Sequence, residues 1–132
     1  MNRVLTNLLV ALLGPVLTSC ASTHDMASGP NPLGGGIREF DVADGVYRIM
    51  VKTNAAPWEN LSGARSSWLS RAEHFCGQGR FKEFEVREYS YDNVPAIGFV
   101  RYIVTAREGY AVCNRLKISD EEALGIIRKS RE

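Results

Sequence analysis

The sequence predicts an α+β domain in which a small antiparallel sheet of about four strands packs against one long helix, with a short C-terminal helix beside them. One segment alternates between apolar and polar residues, a later segment repeats apolar residues at helical spacing, and the other apolar runs are short. The predicted order β, α, β, β, β, α is typical of a two-layer sandwich. Within the 132 residues we expect a single domain, over residues 41–132.

Four short segments read as strands. Residues 45–53 alternate most clearly, with every second residue apolar. Residues 81–91 are aromatic and charged and alternate less regularly, which favours a second strand. We predict a third strand over residues 97–106, a turn at Glu108-Gly109, and a fourth strand over residues 110–114.

Two helices complete the prediction. Pro57 suits a first helical turn and Gly77 suits a helix end, so the long helix is expected between them. Its apolar stripe consists of Leu61, Ala64, Trp68, Ala72, Phe75 and Cys76. Ser119 followed by Glu122 forms a capping box and predicts the start of the last helix.

The two tryptophans are expected to differ in their roles. Trp68 belongs to the stripe and is expected in the core. Trp58 lies at the predicted helix entrance, where it could be exposed and contact a partner.

The first residues have the composition of an export signal. Arg3 supplies positive charge, and residues 5–17 are mostly apolar but too few to span a bilayer as a helix. Gly14-Pro15 breaks a helix just before the tetrapeptide Leu17-Thr18-Ser19-Cys20. We therefore predict a signal peptide over residues 1–19.

Leu17-Thr18-Ser19-Cys20 resembles the lipobox of bacterial lipoproteins, and this resemblance covers the first 20 residues only. It implies a diacylglycerol on the sulfur of Cys20, cleavage before that residue, and acylation of the freed amine. Two or three acyl chains make a membrane anchor effectively permanent. Ala21 replaces the aspartate that retains such proteins in the inner membrane, so in a Gram-negative host the expected location is the outer membrane, facing the periplasm.

Residues 21–39 are rich in Ser, Asn, Gly and Pro and lack hydrophobic periodicity, which predicts a disordered tether. Counted with the lipidated Cys20, this tether covers residues 20–40. A flexible chain of roughly 20 residues has a mean span on the order of 25 Å.

Once Cys20 carries lipid, Cys76 and Cys113 remain, and in an oxidising periplasm they are expected to form a disulfide. Closing this loop would contribute roughly 4 kcal/mol to stability. A thiol-redox role is the alternative, but no Cys-x-x-Cys pair is present. The stretches Cys76-Gly77 and Gly109-Tyr110-Ala111-Val112-Cys113 loosely resemble small uncharacterised Gram-negative envelope lipoproteins, a resemblance that implies no activity.

The chemistry-bearing residues favour a non-catalytic module over an enzyme. An envelope hydrolase would need His74, or Glu83 with Glu85 on one strand face. A zinc site on His74, Cys76 and Cys113 is disfavoured because residues two apart on a helix point away from each other. Hence we expect neither a metal nor a cofactor.

The charge balance also limits the class of partner. The formal charge is +1 and falls to about zero without Arg3, so no nucleic-acid footprint is expected. We expect a binding, sensing or accessory role with a protein or glycan of the envelope as partner.

Overall fold

The computed structural model describes residues 24–93 and 101–132 and confirms the α+β class. Four antiparallel strands form one sheet in the order β1-β2-β4-β3. A long helix and a short C-terminal helix accompany the sheet. The elements are β1 (Gly36–Ala43), β2 (Val46–Lys52), α1 (Leu61–Cys76), β3 (Phe81–Asp92), β4 (Ile103–Cys113) and α2 (Asp120–Lys129).

Strand β1 is an element that the sequence pattern does not predict. It pairs with β2 as a hairpin, and Gly45 makes the turn with a φ of 74°. The strand escapes detection because its faces carry charge as well as apolar residues. Glu39, for example, points towards the helix and binds Arg71 there. The predicted order of elements is therefore wrong at its start, where two strands precede the long helix.

The prediction of a disordered tether is wrong for residues 24–39. Besides β1, this part contains a 3-10 turn at Met26–Ser28 and loops that hydrogen-bond to the domain. The Asn31 side chain donates to the Gly35 carbonyl at 2.9 Å and to the Asn54 side chain at 3.2 Å. A Cβ on Gly35 would lie 2.6 Å from the backbone nitrogen of Asn54, so this glycine permits close packing.

Strand β4 replaces the predicted third and fourth strands. It runs without interruption from Ile103 to Cys113, so the predicted turn at Glu108-Gly109 is wrong. Glu108 lies in mid-strand because it is buried and ion-paired there, and Gly109 is required by the close approach of Val86. The predicted strand start at residue 97 lies outside the described residues.

Helix α1 packs on one face of the sheet, which we call the covered face. Its core contains Ile49, Val51, Trp68, Ala72 and Ala111. The Trp68 indole is fully buried and donates to the Ile49 carbonyl at 3.0 Å, which confirms its predicted place in the core. The predicted alternation of β2 is likewise confirmed, since Tyr47, Ile49 and Val51 share the covered face.

The start of α1 differs from the prediction. Asn60 caps the helix, with its side chain accepting from the Gly63 nitrogen at 2.9 Å, so the helix begins at Leu61 and not at Pro57. Residues 57–59 form no helix because Ala56 is bridged to Ile103 of β4. Trp58 consequently lies outside the helix.

Helix α2 packs at one end of the opposite face. Its predicted capping box is present, since Ser119 accepts from the Glu122 nitrogen and Glu122 accepts from the Ser119 nitrogen. The small core beneath it consists of Val46, Tyr110, Val112, Ala123 and Ile127. The remainder of this face extends beyond α2.

A disulfide joins the end of α1 to the end of β4. The Cα atoms of Cys76 and Cys113 lie 5.0 Å apart, and the predicted bond between these residues is confirmed. Cys113 is only 1% exposed. The bond therefore holds the helix against the sheet at the end that α2 also covers.

Candidate functional site

The face opposite α1 carries a basic and aromatic surface on which, among the described residues, neither helix packs beyond the α2 end. We call this surface the open face. Its members come from all four strands. They are Arg38, Phe40, Arg48, Met50, Lys52, Arg87 and Glu108.

The strand register places these side chains in rows across the sheet. Arg38 pairs with Met50, which pairs with Glu108, which pairs with Arg87. Neighbouring strands lie about 5 Å apart, so the row is on the order of 15 Å long. Four cations thus surround Met50 on this face, against the single carboxylate of Glu108.

Two of the four cations have no carboxylate partner among the described residues. Arg38 stacks on the Phe40 ring at 4.9 Å, and Arg48 lies 5.6 Å from the same ring. Lys52 lies 5.5 Å from the ring of Tyr91. The ion pairs of the described residues leave Arg38 and Lys52 unpaired. Their positive charge is therefore available to a ligand.

Glu108 neutralises part of the charge at the centre of the open face. Its buried carboxylate binds Arg87 and lies 3.7 Å from Arg48. Burial, together with the nearby carboxylate of Glu108, raises the pKa of Tyr89 above its ordinary value. A cleft of about 600 Å³ opens beside the carboxylate of Glu108 and extends to Arg131 at the end of α2.

Glu83 and Glu85, the carboxylates that the alternative hydrolase reading would need on one strand face, lie on different faces. A bulge between Phe84 and Arg87 breaks the alternation of β3, and Glu85 has a φ of 48°. Glu83 binds Arg107 on the covered face, whereas Glu85 binds Arg131 beside α2. The prediction that they share a face is wrong, because period-two reasoning fails at a bulge.

His74, which the alternative hydrolase reading would need, is exposed on the last turn of α1 and contacts the edge of the Phe75 ring. It is close to the disulfide in sequence, but Cys76 is already bonded to Cys113. Within residues 24–93 and 101–132, no group of three His, Cys, Asp or Glu side chains is arranged to hold a metal ion.

Trp58, the predicted contact residue, is 60% exposed. It lies apart from the open face, at the end of the sheet where β4 begins, since Ala56, two residues before it, is bridged to Ile103. The described helices include none that is both long and apolar enough to cross a membrane. Cys20, the predicted lipidation site, lies outside the described residues.

Sequence reasoning missed the open face for two reasons. Arg38 and Phe40 belong to β1, which the sequence pattern does not predict, and Arg48 and Lys52 are scattered basic residues interleaved with acids, which is typical of an ordinary solvated surface. A visible signal was the sequence Arg48-Ile49-Met50-Val51-Lys52, in which two cations flank an apolar residue on the outward side.

We find no match between this chain and a protein-family model, a curated protein or a solved structure.

Proposed function

We propose that this protein is a lipid-anchored module of the outer membrane that faces the periplasm and binds an envelope protein without catalysing a reaction. The lipobox-like Leu17-Thr18-Ser19-Cys20 supports the anchor. The observation that carries the binding role is the open face, where Arg38 and Lys52 have no acidic partner among the described residues.

The chemistry of the open face favours an acidic protein surface as the partner. Arginine, aromatic residues and methionine are enriched at protein interfaces, and the open face presents all three. A sugar would need a free ring face, but the Phe40 ring already lies beside two guanidinium groups. Carboxylates of a partner could instead bind those guanidinium groups in a bidentate manner.

The geometry of the candidate acids and bases supports a non-catalytic role. Glu83 and Glu85 are each bound to an arginine and lie on different faces. His74 belongs to α1, on the covered side of the sheet. General acid–base catalysis requires such groups to converge on one substrate position.

The burial of Cys113 supports a structural role for the disulfide. Thiol–disulfide exchange needs a thiolate to approach one of the sulfur atoms, and the Cys113 side is almost completely covered. Alkylation trapping in cells tests this point. We expect Cys76 and Cys113 to be oxidised in all growth conditions, and a substantial reduced fraction would favour the redox alternative.

The anchor is tested by intact-mass analysis of the protein purified from membranes. We expect a mature chain that begins at Cys20 and carries the mass of its acyl groups. A Cys20→Ala variant should lose both the lipid mass and membrane retention. A wild-type chain with an unmodified Cys20 would contradict the anchor.

The binding role is tested with a photocrosslinking residue at Met50, the centre of the open face, and at Ser70, exposed on α1. We expect discrete protein adducts in intact cells from position 50 only. The double variant Arg38→Glu/Lys52→Glu should abolish them, whereas Lys129→Glu on α2 should not. Adducts that are equal at both positions, or insensitive to the double variant, would contradict the proposal.

A further inference from the structure

Five large apolar or aromatic side chains are exposed among the described residues, and they gather at one end of the molecule. Trp58 is 60% exposed and Leu33 is 58% exposed. We call this region the apolar end. Its members are Leu33, Trp58, Leu61, Tyr89 and Tyr91.

The start of β4 fixes the place of the two tyrosines and of the segment before α1. Tyr91 pairs with Val104, and Tyr89 pairs with Ala106. Ala56, two residues before Trp58, forms a bridge with Ile103. These contacts all involve the first four residues of β4.

Hydrogen bonds bring Leu33 and Leu61 to the same end. The Ala55 nitrogen donates to the Leu33 carbonyl at 2.8 Å. The Asn60 nitrogen, just before Leu61, donates to the hydroxyl of Thr105 at 2.9 Å. The opposite end of the sheet is covered by α2 and carries the disulfide.

The described chain also begins at this end of the sheet. The Ile37 nitrogen donates to the His24 carbonyl at 2.7 Å, and Gly36 pairs with Lys52, which pairs with Ala106. Three residues separate Cys20 from His24, so the chain between them spans at most about 14 Å. A lipid on Cys20 would therefore hold the apolar end close to the bilayer, within a shorter distance than a free tether of 20 residues would allow.

We infer that the apolar end rests in the headgroup region of the bilayer to which Cys20 is anchored, an inference that rests on the proposed lipid anchor. Tryptophan and tyrosine favour this region because their rings are amphipathic. In the headgroup region, the side chains of Leu33 and Trp58 would bury apolar surface that is otherwise exposed to water.

The charges of the apolar end indicate apolar insertion and not attraction to anionic lipid. Glu59 and Asp92 lie in this region beside Lys52 and Arg101, and Arg65, next to Leu61, is paired with Glu88. Acids therefore offset the bases, and anionic lipids should add little to the binding. With this end on the bilayer, Lys52 lies at the membrane edge of the open face, and the rest of that face lies beyond it, accessible to a partner.

Trp58 provides a direct test, because the other tryptophan, Trp68, is fully buried and acts as an internal reference. The full mature chain, with acylation of Cys20 verified by mass, is reconstituted into phosphatidylcholine vesicles that carry bromine on the acyl chains. We expect bromine to quench the Trp58 share of the fluorescence. Quenching should be nearly lost in Trp58→Phe, which retains Trp68.

A second pair of variants tests the apolar contact itself. Leu33→Glu/Leu61→Glu should reduce the quenching of Trp58 at least twofold, whereas Gln78→Glu, in the exposed turn after α1, should not. Replacing a third of the lipid with phosphatidylglycerol should leave the quenching unchanged.

Three outcomes would overturn the inference for a chain that is demonstrably lipidated. They are a Trp58 that remains exposed to water on vesicles, equal quenching in wild type and Trp58→Phe, and quenching that requires phosphatidylglycerol. Absence of lipid on Cys20 would instead contradict the proposed anchor.

Discussion

The two faces of the sheet use arginine in opposite ways. On the covered face, Arg107 is buried, lies 5.2 Å from the ring of Trp68 and binds both Glu83 and Glu88. On the open face, Arg38 is exposed and contacts the Phe40 ring without an acidic partner among the described residues. A buried cation must be paired, whereas an exposed one is stable in water and can remain unpaired until a ligand arrives.

This difference separates structural charge from charge that is available for binding. Removing a cation from the covered face should alter stability, and removing one from the open face should alter binding. Net charge does not reveal the distinction, because the formal charge of the chain is only +1.

The largest effect is expected for Trp68→Ala on the covered face. The change leaves a cavity and deprives the Ile49 carbonyl of its donor, so we expect a loss of about 4 to 5 kcal/mol in the free energy of unfolding. Tyr89→Ala, at the border of the open face, should cost less than about 1 kcal/mol. Urea denaturation followed by circular dichroism measures both, and similar losses would mean that the two faces do not differ as described.

The next effect concerns the disulfide that joins α1 to β4. Replacing Cys76 and Cys113 with serine should lower the free energy of unfolding by about 4 kcal/mol, because the unfolded chain regains the freedom of a long loop. The open face should retain its crosslinking pattern if enough protein remains folded. Unchanged urea stability in the double variant would show that packing alone holds the helix.

A smaller effect is expected for Arg107→Ala. The change leaves Glu83 and Glu88 without their shared cation, but both carboxylates reach water, so we expect a loss of about 2 kcal/mol. Arg38→Ala is the matched change on the open face and should alter stability by less than about 0.5 kcal/mol. A reversed order of the two losses in urea would contradict the assignment of structural and available charge.

The smallest effect is a pH dependence from Glu88. Burial opposes its ionisation, but Arg107 and Arg65 outweigh burial, and the pKa of Glu88 falls below the ordinary 4.5. A lowered pKa adds stability above the unfolded value that is lost as the pH falls through the folded value. Urea titrations should therefore show stability declining below about pH 4.5, with a weaker decline in Glu88→Gln. An identical decline in both proteins would assign the effect to other carboxylates.

Much of the fold follows from local patterns in the sequence. The alternation in β2, the burial of Trp68 and the capping box at Ser119 are each specified by a few neighbouring residues, and each prediction is confirmed. The disulfide could be predicted from the sequence as well, because only two cysteines remain once Cys20 is set aside.

The elements that were missed depend on contacts between distant residues. The sheet tolerates the charge of Glu39 in β1 because Arg71 of α1 binds this carboxylate. It tolerates the charge of Glu108 in β4 because Arg87 binds that one. Gly35 was read as a flexible residue, although its role is close packing on Asn54. Such pairings have no local signature, and the open face depends on them because β1 supplies one of its sides.

The link between Cys76 and Cys113 also determines how the protein would respond to a protease. It spans 37 positions of the chain and encloses all of β3. After a single cut anywhere between these cysteines, the fragment bearing Cys20 and the fragment bearing α2 would remain covalently joined. The cut would then be invisible on a non-reducing gel, and a reductant would be needed to separate the two fragments.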